Sequence, residues 1–307
     1  MGNRLIYIDA LRGFAMLLVI VGHLIQFNYS TGIENPIFNI IYSFHMPLFF
    51  FISGYVHSLS KKCTPLEFIK KKSKTFILPA ITWTCIVPVF FSYKKSFVSF
   101  DFYQYWFMYV LFAIEIGYFG MSNILNIIKR EKATPLIAII IAIALIVFDF
   151  KKIPAWYFFM FAFGYIIATY KVAIKLKYLN GILSFIFLLT CGYFNYGSNP
   201  AGESNRIWLM IPLSISASLV LLNVFRQIRS EYFNRYLSYI GRYTLGIYLC
   251  HFSLLKIPGI NYIETLDSNV IQIVLLFVFA CTIAYICIGI QKIVENIPIL
   301  NTLMYGK

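Results

Sequence analysis

The sequence predicts an all-α, polytopic integral membrane protein of about ten transmembrane helices with both termini in the cytoplasm. Three observations predict it. Of 307 residues, 60% are hydrophobic and only 12% charged, with a mean hydropathy of +0.76, far from a soluble globular domain. Several apolar stretches approach or exceed the ~20 residues that cross a bilayer. The basic residues behind the net charge of +14 fall mostly in alternate short loops, as positive-inside topology requires. That distribution argues against nucleic acid as a partner.

Apolar runs between polar breaks place spans at about 10–27, 38–58, 75–92, 104–125, 134–149, 155–170, 179–196, 206–225, 243–258 and 270–291. With the N-terminus inside, twenty of the 26 Lys and Arg lie on the cytoplasmic side. The other six, Lys94, Lys95, Lys151, Lys152, Arg206 and Lys256, lie outside. The first span carries Arg12 and His23 with no small-residue cleavage site after it, so it reads as a retained helix. In the second, Pro47 loosens the backbone ladder beside His45. Gly13, Gly22 and Gly54 admit close neighbouring helices. Between spans two and three, Thr64-Pro65-Leu66-Glu67 is a capping box with Pro at the first helical position. The helix it starts carries Lys70, Lys71, Lys72 and Lys74, and Glu67 is spaced to pair with Lys71. Spans 134–149 and 155–170 are short; merging them into one re-entrant hairpin leaves the later loops on the same sides. No repeat, low-complexity tract or long linker divides residues 1–307, so one transmembrane domain is expected.

Buried ionisable groups are where chemistry is expected. Arg12 and His23 are eleven residues apart. Eleven steps of about 100° return to within about 20°, so the two share a face, about 16 Å apart along it. Asp9, three residues before Arg12, can pair with it; the simpler reading of that pair is an interfacial ion pair. His23 and His45 each lie eleven residues from Glu34, the centre of the intervening loop, which puts both imidazoles at similar depth. Glu115, mid-span, must face protein or water, orienting a histidine, pairing with a base, or staying protonated in a purely structural role. His251 is a further buried imidazole and leans to a structural role; His57 is incidental. The lysine cluster satisfies positive-inside topology by itself; its functional reading is a site for the phosphates of a soluble anionic cofactor. The six cysteines form no Cys-x-x-Cys pair, so neither a disulfide framework nor a metal site is expected.

Ile8-Asp9-Ala10-Leu11-Arg12-Gly13, Arg12 with His23, Phe44-His45-Met46-Pro47-Leu48-Phe49-Phe50 and Ser53-Gly54-Tyr55 resemble the membrane acyltransferase family 3, closest to its fucose 4-O-acetylase-like branch. Tyr105-Trp106-Phe107 and the segment from Ile240-Gly241-Arg242 to Tyr248-Leu249-Cys250-His251 are similar as well. The resemblance implies transfer of an acyl group, usually acetyl from cytoplasmic acetyl-CoA, to a sugar hydroxyl of a surface glycan or lipid-linked precursor in the cell membrane. It implies His23 as catalytic, and the chemistry of an imidazole suits it either as general base on the acceptor hydroxyl or as an acyl relay, with His45 able to steady the developing oxyanion and Asp9 the further catalytic candidate. It implies Lys71 and Lys74 at the donor, as they match a basic-x-x-basic motif in which the family more often has Arg; by charge and placement, Arg12 and Lys70 are expected to join them. Ser53, Tyr55, Trp106, Glu115 and His251 are expected to bind substrate or support the site.

The rival reading is a proton-coupled transporter or flippase of a lipid-linked saccharide, which buried His, Arg and Glu also suit. Against it, the polar groups concentrate in the first two spans and no paired interrupted segments mark an inverted repeat.

Overall fold

A computed structural model describes residues 5–60, 63–91, 102–148, 152–170, 182–189 and 207–307. Among them the chain is helical, without strands. Five helices are long and apolar enough to cross a bilayer: α1 (Ile6–Asn28), α2 (Pro36–His57), α5 (Trp106–Ile127), α9 (Ile207–Gln227) over 208–227, and α12 (Asn269–Glu295). The expected span 179–196 is described only over 182–189, here α8. Arg4, Lys61, Lys94, Lys95, Lys151, Arg206 and the basic stretch 171–177 lie outside the described residues.

Helix α1 is the axis of the bundle. It packs most extensively on α10 (Glu231–Arg242), and also on α2, α9, α11 (Thr244–Cys250) and α12. Two reciprocal glycine crossings set the closest approaches. A Cβ on Gly13 would strike the Leu237 carbonyl of α10, and one on Gly241 would strike the Asp9 carbonyl of α1. Gly54 of α2 and Gly164 of α7 (Lys152–Thr169) stand in the same relation to the carbonyls of Phe161 and Phe51. Small residues let backbones meet where apolar side chains alone give little drive to associate in lipid.

The loop after α2 folds as its sequence predicts. Thr64 Oγ1 accepts from the Glu67 amide at 3.4 Å, and Glu67 Oε2 accepts from the Thr64 amide at 3.0 Å, opening α3 (Pro65–Lys72). The Thr64 amide, and then its side chain, hold the Glu67 carboxyl below its usual pKa. Glu67 is thus engaged by the cap. A π-helical turn, Ser73–Ile77, runs α3 directly into α4 (Leu78–Phe91). Helices α6 (Thr134–Val147) and α7 pack against each other.

Two elements depart from expectation. The stretch 226–242, expected as a basic loop, contains the amphipathic helix α10, with Leu237, Ile240 and Gly241 buried and Tyr232 88% exposed. Ser230 caps it, accepting from the Phe233 amide at 3.4 Å. The expected span 243–258 is interrupted: α11 ends at Cys250, a 3₁₀ turn covers His251–Leu254, and Gly259 stands at φ +85°. His251 Nδ1–H takes the Ile247 and Tyr248 carbonyls at 2.9 and 2.8 Å. Side-chain donation to those carbonyls competes with helix continuation, and Pro258-Gly259 then turns the chain. The chain ends in a short helix, α13 (Pro298–Tyr305), which packs on α4 and α12.

Candidate active site

Between Ile8 and Ile25, every residue of α1 is buried except Arg12, Phe14 and His23. The two residues that share a face by periodicity are therefore the two polar ones that keep contact with open space. Arg12 Nη1 stands 4.0 Å from Asp9 Oδ1, and the Arg12 side chain is 28% exposed.

The His23 ring is held from two sides. Its Nδ1 lies 3.0 Å from Gln26 Oε1 and 2.9 Å from the Tyr42 hydroxyl, which itself donates to Gln26 Oε1 at 3.1 Å. A carbonyl oxygen can only accept, so Nδ1 carries the proton and Nε2 presents a lone pair. Gln26 is three residues along the same helix, and Tyr42 comes from α2. A Cβ on Gly22 would lie 2.6 Å from the Tyr42 ring; the glycine makes room for the ring that reaches His23. Phe252 and Phe27 flank the imidazole at 4.8 and 5.9 Å between centroids.

The other two imidazoles gather here. The His251 ring is 5.5 Å from that of His23. The His45 ring lies 4.6 Å from Tyr42, which stands 6.0 Å from His23. Tyr42 therefore links the pair that the loop-centre argument set at one depth. His45 Nδ1–H donates to the Ile41 carbonyl at 2.9 Å, a bond made beside the gap that Pro47 leaves in the ladder. All three imidazoles thus carry their proton on Nδ1. His251 Nε2 is buried with no hydrogen-bond partner. Among the described residues, no group of three or more His, Cys, Asp or Glu could hold a metal ion.

Beyond His23 the end of α1 is tied down. Asn28 Nδ2 donates to the Leu255 carbonyl at 2.9 Å, and Asn28 Oδ1 accepts from the Ile257 amide at 3.3 Å. The Glu264 carboxylate accepts from the amides of Ser30 and Thr31 at 2.6 and 3.0 Å, and from their hydroxyls at 3.0 and 2.6 Å.

Toward the Arg12 end, Glu115 of α5 forms an ion pair with Lys72 of α3, within electrostatic reach of Arg12 and Lys71. Of the roles open to Glu115, the structure shows pairing with a base. Lys72 Nζ also lies over Phe68 and Phe76, 5.5 and 5.4 Å from their centroids, and Phe68 stacks on Phe119 of α5 at 4.0 Å. Lys70, Lys71 and Lys74 remain exposed. Tyr55 accepts from Arg226 Nη2 at 3.2 Å and bonds the Tyr7 hydroxyl at 2.9 Å. Ser53 is half-buried on α2. Trp106 stacks on Tyr157 at 5.6 Å, and Tyr157 on Phe50 at 4.4 Å, which places the indole in an aromatic layer between α5, α7 and α2. Gln26, Tyr42, Phe252 and Arg226 are the contributors that sequence reasoning missed, together with the turn of Lys72 out of the lysine cluster toward Glu115.

The family profile described as an acyltransferase domain, acyltransferase 3, matches residues 5–289. Nodulation protein NolL of Mesorhizobium japonicum is 24% identical over 348 aligned positions, covering 99% of this chain and 91% of the relative. Nodulation protein NolL of Sinorhizobium fredii is 33% identical over 90 positions, covering 28% of this chain and 25% of the relative. No solved structure is significantly similar.

Proposed function

The chain belongs to acyltransferase family 3, and we propose that it is a cell-membrane O-acetyltransferase. In this reading it moves acetyl from cytoplasmic acetyl-CoA to a hydroxyl of a surface polysaccharide or lipid-linked sugar. The observation that carries the reading is the pattern of exposure along α1: between Ile8 and Ile25 a guanidinium and an imidazole about three turns apart are the polar side chains left unburied. The same reading assigns ten spans, with the Arg12 end in the cytoplasm.

The donor's phosphates would meet Lys70 and Lys71 on the capped helix and Lys74 on the π-helical turn that follows, with Arg12 beyond them, and its thioester arm would extend toward His23. Lys72 is excluded from that set by its pairing with Glu115 and instead docks the donor helix onto α5. His23 Nε2 takes the proton of the acceptor hydroxyl as the oxygen attacks the thioester carbonyl. The carbon–sulfur bond breaks, and the proton passes from His23 to the departing thiolate. Gln26 and Tyr42 hold the tautomer that leaves Nε2 able to accept. The unpartnered Nε2 of His251 is placed to accept a hydrogen bond from the acceptor.

The test is transfer of radiolabelled acetyl from acetyl-CoA in membranes bearing the wild-type chain or His23→Ala. Loss of a general base predicts a rate lower by about 10²–10⁴-fold, with insertion and expression unchanged. Undiminished transfer in that variant would overturn the assignment. A carrier would label no glycan in either case.

A further inference from the structure

Helices α10 and α12 leave between them an apolar groove of ≈ 930 Å³, lined by none of the residues that hold His23. Its walls include Tyr236 of α10 and Val274, Phe277, Cys281 and Tyr285 of α12. Phe277 also stacks on Phe14 of α1 at 6.3 Å between centroids. The α12 lining runs from Ile273 to Ile286. At about 1.5 Å per residue that is about 20 Å, enough to pass through one leaflet, about half of a ~30 Å hydrocarbon core. Val274, Val278, Tyr285 and Ile286 are exposed along it, in a helix apolar enough to span a bilayer.

The two ends of the groove differ in charge. At the end nearer Arg12, Tyr236 and Tyr285 lie 5.7 Å apart, and Tyr285 stacks on Tyr239 at 6.2 Å. Arg242 Cζ and Lys292 Nζ both stand 5.4 Å from the Tyr239 ring centroid, and both are exposed. The carboxylate nearest Lys292 in sequence, Glu295, is engaged by Lys307 at 2.8 Å and Gln291 at 3.0 Å. Lys307 lies over Tyr243 at 5.3 Å. An apolar slot one leaflet deep therefore ends at a guanidinium and an ammonium on opposite helices, gathered around one tyrosine.

We propose that this groove binds one anionic phospholipid of the leaflet at the Arg12 end, an acyl chain lying along α12 and the phosphate seated between Arg242 and Lys292. The fork of Arg242 matches two phosphate oxygens, and Lys292 adds a point charge. A chain alone would be indifferent to the headgroup; the two cations supply selectivity. A basic residue at a membrane surface favours anionic lipid about fivefold, so two predict a preference of about 30-fold.

The test uses the full chain purified in detergent and given equal amounts of phosphatidylglycerol and phosphatidylcholine with identical chains. Retained lipid is read by native mass spectrometry. The wild type is expected to retain phosphatidylglycerol at least about tenfold over phosphatidylcholine. Arg242→Gln with Lys292→Gln, both at exposed positions, is expected to abolish the preference while neutral lipid still binds. Cys281→Trp, which fills the slot, is expected to lower retention of both lipids. Equal retention of the two lipids by the wild type, or a preference surviving in the double variant, would overturn the proposal. So would displacement of phosphatidylglycerol by free glycerol phosphate at equal concentration, which would mark a phosphate site with no role for the chain. The readout is lipid binding, so it stands or falls separately from the acetyl-transfer reading.

Discussion

His23 owes its orientation to two neutral partners. Many catalytic imidazoles are oriented by a carboxylate, which stabilises the imidazolium once it forms. Here the Gln26 carbonyl and the Tyr42 hydroxyl fix the tautomer without a negative charge. Losing one neutral hydrogen bond costs about 1–1.5 kcal/mol, so Gln26→Ala is expected to lower kcat by about tenfold. KM for the donor should stay unchanged, because Gln26 is remote from the exposed lysines. Steady-state kinetics with varied donor would check this; a rise in KM at constant kcat would contradict it. Both partners were within reach of the sequence. Gln26 is at i+3 from His23, and Gln26 and Tyr42 each lie eight residues from Glu34, so the depth argument that matched His23 with His45 also matches them. They were missed because neutral side chains in a membrane segment draw less attention than ionisable ones.

Among the elements, α3 is anchored by a single internal ion pair. Lys72→Ala would leave Glu115 buried without its cation, and breaking a buried pair costs about 3–5 kcal/mol. Replacing both partners, as in Lys72→Met with Glu115→Leu, should recover much of that loss. Thermal unfolding of the single and double variants would measure the coupling; additive losses would contradict a direct pair. The capping box, and therefore the start of α3, was legible because cap chemistry is local. Which lysine turns inward was not, because that choice depends on Glu115 and Phe119, more than forty residues away. Helix α10 was missed for a related reason. The four arginines from Arg226 to Arg242 read as a charged loop, whereas Leu237, Ile240 and Gly241 of α10 form a buried stripe only once α1 lies against them.

For the molecule as a whole, hydropathy made most of the long helices legible, since an apolar stretch in lipid has to satisfy its backbone internally. The break after Cys250 was not legible, because it depends on where His251 sends its ring proton. The clamp at the His23 end was also hidden, as it joins residues 30–31 to Glu264 across most of the chain. Partial burial pushes the Glu264 pKa up, but bonds from Thr31 and Ser30 outweigh it and hold the carboxyl below its usual 4.5. A depressed carboxyl stabilises the folded state above the unfolded pKa, and that contribution is lost as pH falls through the folded value. Hydrogen exchange at the Ser30 and Thr31 amides is therefore expected to quicken as pH falls below about 4.5, beyond the intrinsic trend. Glu264→Gln should remove that acid sensitivity; an unchanged profile would contradict the clamp.

The reciprocal contact of Gly13 and Gly241 has a consequence for biogenesis. The helix bearing Arg12 leaves the ribosome well before α9 to α12, which enclose it and are encoded by residues 207–295. For most of translation a charged helix must wait in or beside the insertion machinery with its close-packing partner still unmade. The surroundings of Asp9 and Arg12 are accordingly among the last parts of the bundle to assemble, and a nascent chain stalled before residue 231 would expose both without the helix that closes over them.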